Sequence, residues 1–222
     1  MNTEEILICL PAYNEARVIG KVISSIRQEG YPNILVVDDG SQDNTAQEAR
    51  DAGAMVLSHP INRGAGAATA TGLEFASREN KYSYLVFMDA DGQHSYQDLR
   101  ALLSVAPNYD VVIGSRHLGS MQMPFSRRLA NAIGSIITFI FFGLYVKDSQ
   151  SGFKVFNRKA MHKVQISFDR YEFCSEIIGE IYQKHLSYKE VPIKVIYTNH
   201  SKAKGQSIGN GFKMVLRFIF RT

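Results

Sequence analysis

The feature that most restricts the fold is a repeated pattern: a short apolar run stops at a polar, often glycine-bearing segment and then gives way to helical spacing. Ile6–Leu10 runs into Pro11-Ala12-Tyr13-Asn14-Glu15, and Val18, Ile19, Val22, Ile23 and Ile26 follow at helical intervals up to Gly30. Ile34–Val37 stops at Asp38-Asp39-Gly40-Ser41, with Asp43 or Asn44 available to cap a helix closed by Gly53. Ala54–Leu57 precedes Asn62-Arg63-Gly64-Ala65-Gly66 and a helix over Ala67–Ala76. Tyr84–Met88 ends directly on Asp89-Ala90-Asp91, ahead of a helix over Leu99–Val105 and a fifth strand at Val111–Ile113. Runs of this kind read as buried strands. Successive strand–helix units joined by right-handed crossovers predict an α/β fold, a mostly parallel central sheet with helices on both faces. Ligands of such sheets bind outside the carboxyl ends of the strands. The polar segments fall at those ends.

The second half reads differently. Ala132–Val146 carries no charge, is preceded by Arg127 and Arg128, and is shorter than the roughly 20 residues that cross a bilayer. It predicts either a buried helix or one lying in a membrane interface. Lys154–Phe156 and Val191–Ile196 predict further strands, and Glu172–Lys184 a helix. Phe212–Arg221 places Phe212, Val215, Leu216 and Ile219 on one face and Lys213, Arg217 and Arg221 on another, a basic amphipathic helix suited to a membrane surface. With no repeat or linker, the expected organisation is one domain over residues 1–205 and a C-terminal basic element over residues 206–222. The charge follows the same division. Six Lys/Arg and no acid lie beyond Val191, which leaves 19 basic against 21 acidic residues before it. An anionic partner is expected there, and the absence of interleaved aromatic–basic motifs argues against nucleic acid. Cys9 and Cys174 sit in apolar contexts and read as buried thiols of a reducing compartment. Glu4 and Glu5 ahead of a strand-length apolar run do not make a secretory signal, so a cytoplasmic protein is expected, peripheral at the cytoplasmic face of a membrane.

Asp89-Ala90-Asp91 carries the strongest chemistry. Two carboxylates one residue apart at a strand end, with Gly92 for the turn and Gln93 adding an oxygen, suit a hard divalent cation, Mg²⁺ or Mn²⁺. Such an ion would stabilise charge on a departing diphosphate as a Lewis acid. An acid of the Asp38-Asp39 pair can accept from ribose hydroxyls, the other serving the turn. Gly64-Ala65-Gly66-Ala67-Ala68-Thr69 nearly matches the dinucleotide fingerprint, but Thr69 replaces its last glycine and the loop follows the third strand. A dehydrogenase is therefore excluded, although the loop can present backbone N–H groups to a phosphate. Walker, zinc-protease and serine-hydrolase patterns are absent.

Taken together, Pro11–Glu15, Val36–Ser41, Asn62–Gly66, Asp89–His94, Gly114-Ser115-Arg116 and Asp148-Ser149-Gln150-Ser151-Gly152-Phe153-Lys154 resemble the family 2 glycosyltransferases. The last element is similar to the branch acting on polyprenyl phosphates, the dolichyl-phosphate mannosyl- and glucosyltransferases. The resemblance spans residues 5 to 205 and implies a GT-A fold. It implies that Pro11, Ala12 and Tyr13 line the nucleotide base, that Glu15 and Asp39 bind the nucleoside, and that Asp89, Asp91 and Gln93 hold metal and diphosphate. Arg116 and Gln150 would stand near the donor sugar or acceptor phosphate, with Asp148 and Glu172 as candidate acceptor-side carboxylates. Lys202 to Ser207 occupies the place of a phosphate-contacting element in which Lys202 replaces an arginine, so a bidentate clamp is lost. The implied activity is inverting, metal-dependent transfer of a hexose from a GDP- or UDP-sugar to a polyprenyl phosphate, an anionic nucleophile that needs no strong general base. Transfer to a glycan or soluble hydroxyl, and a non-catalytic nucleotide-sugar-binding protein, are the alternatives.

Overall fold

The structure, a computed structural model, describes residues 1–92, 96–116 and 125–194; for Tyr96 and residues 125–131 only the backbone is described. The expected strands form. In chain order they are β1 (Ile6–Ala12), β2 (Ile34–Asp38), β3 (Met55–Ser58), β4 (Tyr84–Phe87), β5 (Val111–Ser115), β6 (Lys154–Asn157) and β7 (Tyr188–Pro192). They make one sheet in the order β3-β2-β1-β4-β6-β5-β7. Every pairing is parallel except those of β6, which runs antiparallel to β4 and β5. The helices are α1 (Ile19–Gln28), α2 (Thr45–Asp51), α3 (Ala65–Glu79), α4 (Tyr96–Val105), α5 (Phe125–Phe142), α6 (Arg158–Lys163) and α7 (Phe173–Gln183).

The continuous apolar runs follow from burial on both faces. Ile6, Ile8, Leu10, Ile34, Val36 and Val86 point to one core with Ile19, Ile23 and Ile26 of α1 and Leu99 and Leu102 of α4. Leu7, Cys9, Leu35, Val37, Leu85 and Phe87 point to the other, with Ala68 and Leu73 of α3, Ala160 of α6 and Ile177 and Ile178 of α7. Both cysteines are free and buried, and burial pushes both thiols up.

Two elements depart from expectation in extent. α5 begins at Phe125, ahead of the uncharged run, because Arg127 and Arg128 are good helix formers; it stops where Gly143 takes a φ of 78°. β7 covers Tyr188–Pro192; of the expected strand Val191–Ile196, Ile193 and Lys194 lie past its end and residues 195–196 lie outside the described residues. Among the described residues it pairs only with β5, and none of its residues is fully buried.

The amino ends of β5 and β7 and the end of β6 are joined by one carboxylate. Asp110 accepts from Ser187 N–H (2.8 Å), Ser187 Oγ (3.0 Å), Asn157 Nδ2 (3.0 Å) and Lys159 Nζ (2.8 Å). Burial pushes this carboxyl up, but the hydrogen bonds, that of Lys159 foremost, outweigh it and hold Asp110 well below the usual carboxylate range. A depressed folded-state pKa contributes stability at neutral pH that disappears as pH falls toward the folded value. Asp110→Ala is expected to lower unfolding free energy by about 2 kcal/mol near pH 7. In urea titrations the gap to the wild type should close progressively below about pH 4.

Candidate active site

The loops leaving the carboxyl ends of β1 and β2 are sewn together. Asn14, in the left-handed region at φ 55°, donates its backbone N–H to Ser41 Oγ (2.9 Å) and accepts from Gln42 N–H (2.8 Å) at its side chain. Glu15 N–H donates to Thr45 Oγ1 at 2.8 Å, and Asp38 accepts from Ser41 N–H at 3.2 Å. The buried Asp39 carboxylate then captures a third loop. Its Oδ1 accepts from Arg63 N–H (3.1 Å) and lies 2.8 Å from His59 Nδ1, while Oδ2 accepts from Gly64 N–H (2.6 Å). His59 Nε2 lies 2.9 Å from Thr71 Oγ1 of α3, so the ring is held at both nitrogens. Gly40 permits the crossing, since a Cβ there would stand 2.6 Å from the Ile61 carbonyl carbon.

Gly64 and Gly66 have a second function that their phosphate-loop appearance conceals. A Cβ on either would overlap backbone of the Phe168–Arg170 segment, which packs into the space that side chains would fill. Ala67 N–H donates to the Asp169 carbonyl (3.0 Å), and Arg63 pairs with the Asp169 carboxylate (2.9 Å). Between these loops lies a cavity of about 240 Å³ lined by Pro11, Ala12, Tyr13, Asp39, Asn62 and Gly64, together with Arg170 and Tyr171 from the packed segment. Glu15 is buried and is not among its lining residues. A larger recess of about 380 Å³, lined by Thr3, Ile6, Tyr31, Arg100 and Pro107, lies at the amino end of the sheet, away from the strand-end loops.

The reversed direction of β6 builds the other half of the site. Because β6 enters the sheet from the carboxyl ends of its neighbours, Lys154 pairs with Phe87 and Ile113, and Asp148–Gly152 arrives beside Asp89 and Arg116. A recess of about 70 Å³ lined by Asp89, Thr69, Gly152, Lys154 and Phe173 shares Pro11 and Ala65 with the first cavity. Arg116 directly follows β5. Asp148, expected on the acceptor side, is wholly buried and grips Arg116 instead, accepting from its backbone N–H (2.9 Å), Nε (2.8 Å) and Nη2 (2.7 Å). Burial opposes the Arg116 charge, but Asp148, with Asp89 further off, outweighs it and raises the arginine above its ordinary range. Gln150 Nε2 donates to Ser149 Oγ (3.3 Å) and Ser175 Oγ (3.0 Å), hydroxyls that also meet Thr138 of α5. Glu172 stands, buried, at the start of α7. Gln93, Lys202 and Ser207 lie outside the described residues, as does the Phe212–Arg221 helix.

Sequence reasoning missed His59, Arg170 and Tyr171, and it included Lys154 only as the last residue of the Asp148–Lys154 motif, with no role of its own. Lys154, buried in β6, donates to the Ser151 carbonyl and lines the smaller recess.

Residues 7–165 match the family described as Glycosyl transferase family 2. This chain is a family 2 glycosyltransferase. A UDP-N-acetylglucosamine–dolichyl-phosphate N-acetylglucosaminyltransferase of Methanococcus voltae is 35% identical, the match covering 96% of this chain and 94% of the relative. An undecaprenyl-phosphate mannosyltransferase of Micrococcus luteus is 29% identical over 96% of this chain and 93% of its own. Among solved structures, glucosyl-3-phosphoglycerate synthase from Mycobacterium tuberculosis, in complex with Mn²⁺, uridine diphosphate and phosphoglyceric acid, superposes with a TM-score of 0.72 at 19% identity, covering 96% of this chain and 75% of that one. The fold is thus the GT-A fold expected.

In this glycosyltransferase no group of three or more His, Cys, Asp or Glu side chains is placed to hold a metal among the described residues. The donor set nevertheless fits a hard cation that completes its shell with substrate phosphate and water. Asp89 and Asp91 offer oxygen ligands one residue apart, and the Asp89 carboxylate occupies space left by the missing side chain of Gly152. Gly152→Ala should therefore cut turnover at least about tenfold, since misplacing a catalytic group by even ~1 Å costs up to 10²-fold. Far-ultraviolet circular dichroism and steady-state kinetics on the same preparation check that activity falls while the fold persists.

Proposed function

We propose that this glycosyltransferase moves a hexose from a UDP-sugar to a polyprenyl phosphate with inversion at the anomeric carbon. The observation that carries the reading is that the cavity of about 240 Å³ beside Asp39 adjoins the recess at Asp89, the two sharing Pro11 and Ala65 as walls. Pro11, Ala12, Tyr13 and Asp39 hold the nucleoside; Asp89 and Asp91, with Gln93, hold a divalent cation, Mg²⁺ or Mn²⁺, and the diphosphate. That cation, when bound, supplies Lewis-acid stabilisation of the departing charge. The 35% identity to a relative named for a UDP-sugar and a dolichyl phosphate supports the uridine donor, with a GDP-sugar as the competing choice.

An acceptor phosphate oxygen attacks the anomeric carbon as the bond to the donor's β-phosphate breaks, and the electron pair leaves with the nucleoside diphosphate. The attacking oxygen is already anionic, so no side chain need remove a proton. Arg116, kept charged and aimed by Asp148, and Gln150, fixed by Ser149 and Ser175, orient the reacting phosphate and sugar. The chain's contribution is positioning and electrostatic stabilisation.

A lipid acceptor requires approach to a membrane. No helix among the described residues is long and apolar enough to cross one, but α5 is built inside out. Its hydroxyls Ser135 and Thr138 are buried, while Ile133 (48%), Ile136 (51%), Phe139 (48%) and Ile140 (70%) are exposed. Such a face suits the interfacial layer of a bilayer. We place it peripherally at the cytoplasmic face, with residues 1–205 as the catalytic unit and the basic 206–222 element as a second contact.

Incubation with labelled UDP- or GDP-sugar, Mn²⁺ and a short polyprenyl phosphate should yield a lipid-linked product labile to mild acid. Asp91→Asn should cut the rate at least about a hundredfold, the scale of one lost transition-state charge interaction, and excess chelator should do likewise. Full activity in either arm would sink the metal assignment, and an acid-stable glycoside would replace the phosphate acceptor with a hydroxyl. In flotation with anionic liposomes the wild type should bind, whereas the double variant Ile136→Glu/Ile140→Glu should not.

A further inference from the structure

We propose that Arg170 and Tyr171 are the base-recognition wall of the donor cavity and set which nucleoside diphosphate it accepts. The proposal rests on the donor reading above and extends it to residues outside every motif of the sequence. Both line the cavity that holds Pro11, Tyr13 and Asp39, and neither lines the recess that holds Asp89. They therefore face the nucleoside end of a bound donor rather than its metal-binding end.

Arg170 is available to a ligand. The neighbouring cations are taken: Arg63 by Asp169, Arg116 by Asp148, and Lys154 by the Ser151 carbonyl. Arg170 is exposed, and among the described residues its guanidinium has no ion-pair partner. A planar guanidinium can stack on a base or offer parallel N–H donors to its carbonyl edge. The Tyr171 ring, 49% exposed, supplies a flat apolar face with a polar tip. Uracil and guanine place carbonyl and N–H groups differently along their edges, so a fixed fork of donors distinguishes them.

The wall is held in place before any ligand arrives. Phe168–Arg170 fills the space at Gly64 and Gly66, and Ala67 N–H binds the Asp169 carbonyl at 3.0 Å. Ser167 and Phe168 N–H donate to the Glu176 carboxylate at 2.9 and 3.0 Å, and the Arg170 carbonyl accepts from Phe173 N–H at 3.2 Å. A backbone so anchored leaves only two side chains to be ordered on binding, which keeps the entropic cost low.

Calorimetric titration of the full chain with UDP, GDP, uridine, guanosine and Mn²⁺-pyrophosphate tests the proposal. Arg170→Ala should weaken the preferred nucleoside and its diphosphate alike, by about tenfold, the scale of one cation–π or charge-assisted contact. The UDP-to-GDP affinity ratio should shrink with it, and pyrophosphate binding should stay unchanged. Arg170→Lys should not restore the ratio, Tyr171→Ala should mimic the loss, and Tyr171→Phe should retain most of the affinity. Arg170→Gln carries the same expectation if the alanine variant does not fold. Unchanged nucleotide affinity in Arg170→Ala or Arg170→Gln would overturn the assignment, as would an equal loss for pyrophosphate or full rescue by lysine. A wild type that binds no nucleotide would overturn the donor reading itself, an outcome distinct from the other three.

Discussion

The Asp39 carboxylate is the interaction on which the cavity between the β1, β2 and β3 loops depends. Buried, it draws the backbone N–H groups of Arg63 and Gly64 and the ring of His59 onto its two oxygens. Hydrogen bonds to a charged group contribute about 1.5–3 kcal/mol each, enough to hold a loop that no strand pairing constrains. Fixing Gly64 fixes the first turn of α3, and the bare backbone at Gly64 and Gly66 then admits Phe168–Arg170. One acid at the end of β2 thereby determines the position of a segment more than a hundred residues later in the chain. The cavity exists because that segment arrives.

The catalytic half depends instead on a change of direction. A wholly parallel sheet would bring only the residues that follow its strands to the active edge. Inserting β6 antiparallel between β4 and β5 adds the residues that precede a strand, Asp148 to Gly152. These are residues that a parallel arrangement would put at the opposite end. The insertion also places Asp148 where it can bind Arg116 through backbone and guanidinium together. Burying such a pair adds little net stability, whereas removing one partner strands a buried charge. Its value lies in holding the guanidinium in one orientation beside Asp89.

The local half of this architecture was legible in the sequence and the non-local half was not. Strands covered on both faces, such as Ile34–Asp38, announce themselves as unbroken apolar runs, and strand ends announce themselves as polar turns. β7 was misplaced because an edge strand reading Tyr-Lys-Glu-Val-Pro carries two adjacent charges, Lys189 and Glu190, where a doubly covered strand would show an apolar run. Pro11, Tyr13 and Asp39 were legible because each directly follows or ends a strand. Arg170 and Tyr171 follow α6, not a strand, and reach the cavity only through the glycine gap at α3. Gly64 and Gly66 did signal close backbone approach, but a single sequence contains nothing that names the approaching partner. The same limit hid the direction of β6, since pairing polarity depends on the connection through α5 and not on the strand's own residues. Within the site, Asp148 looked like an acid available to an acceptor because burial cannot be read from an Asp-Ser-Gln-Ser run.

α5 connects the two surfaces that a lipid-phosphate transferase must bring together. A helix in a soluble core presents apolar residues inward; here Ser135 and Thr138 face inward and isoleucines face out. The inward hydroxyls are not idle. Thr138 Oγ1 lies 3.2 Å from Ser149 Oγ and 2.7 Å from Ser175 Oγ, and both of those oxygens accept from Gln150 Nε2. Each member of this buried network is satisfied by another, so displacing the helix would leave several polar atoms without partners, at about 1–3 kcal/mol apiece. That penalty makes the register between α5 and Gln150 stiff. If α5 lies in a bilayer interface as proposed, the bilayer surface and the Gln150 side chain are then held at a fixed separation.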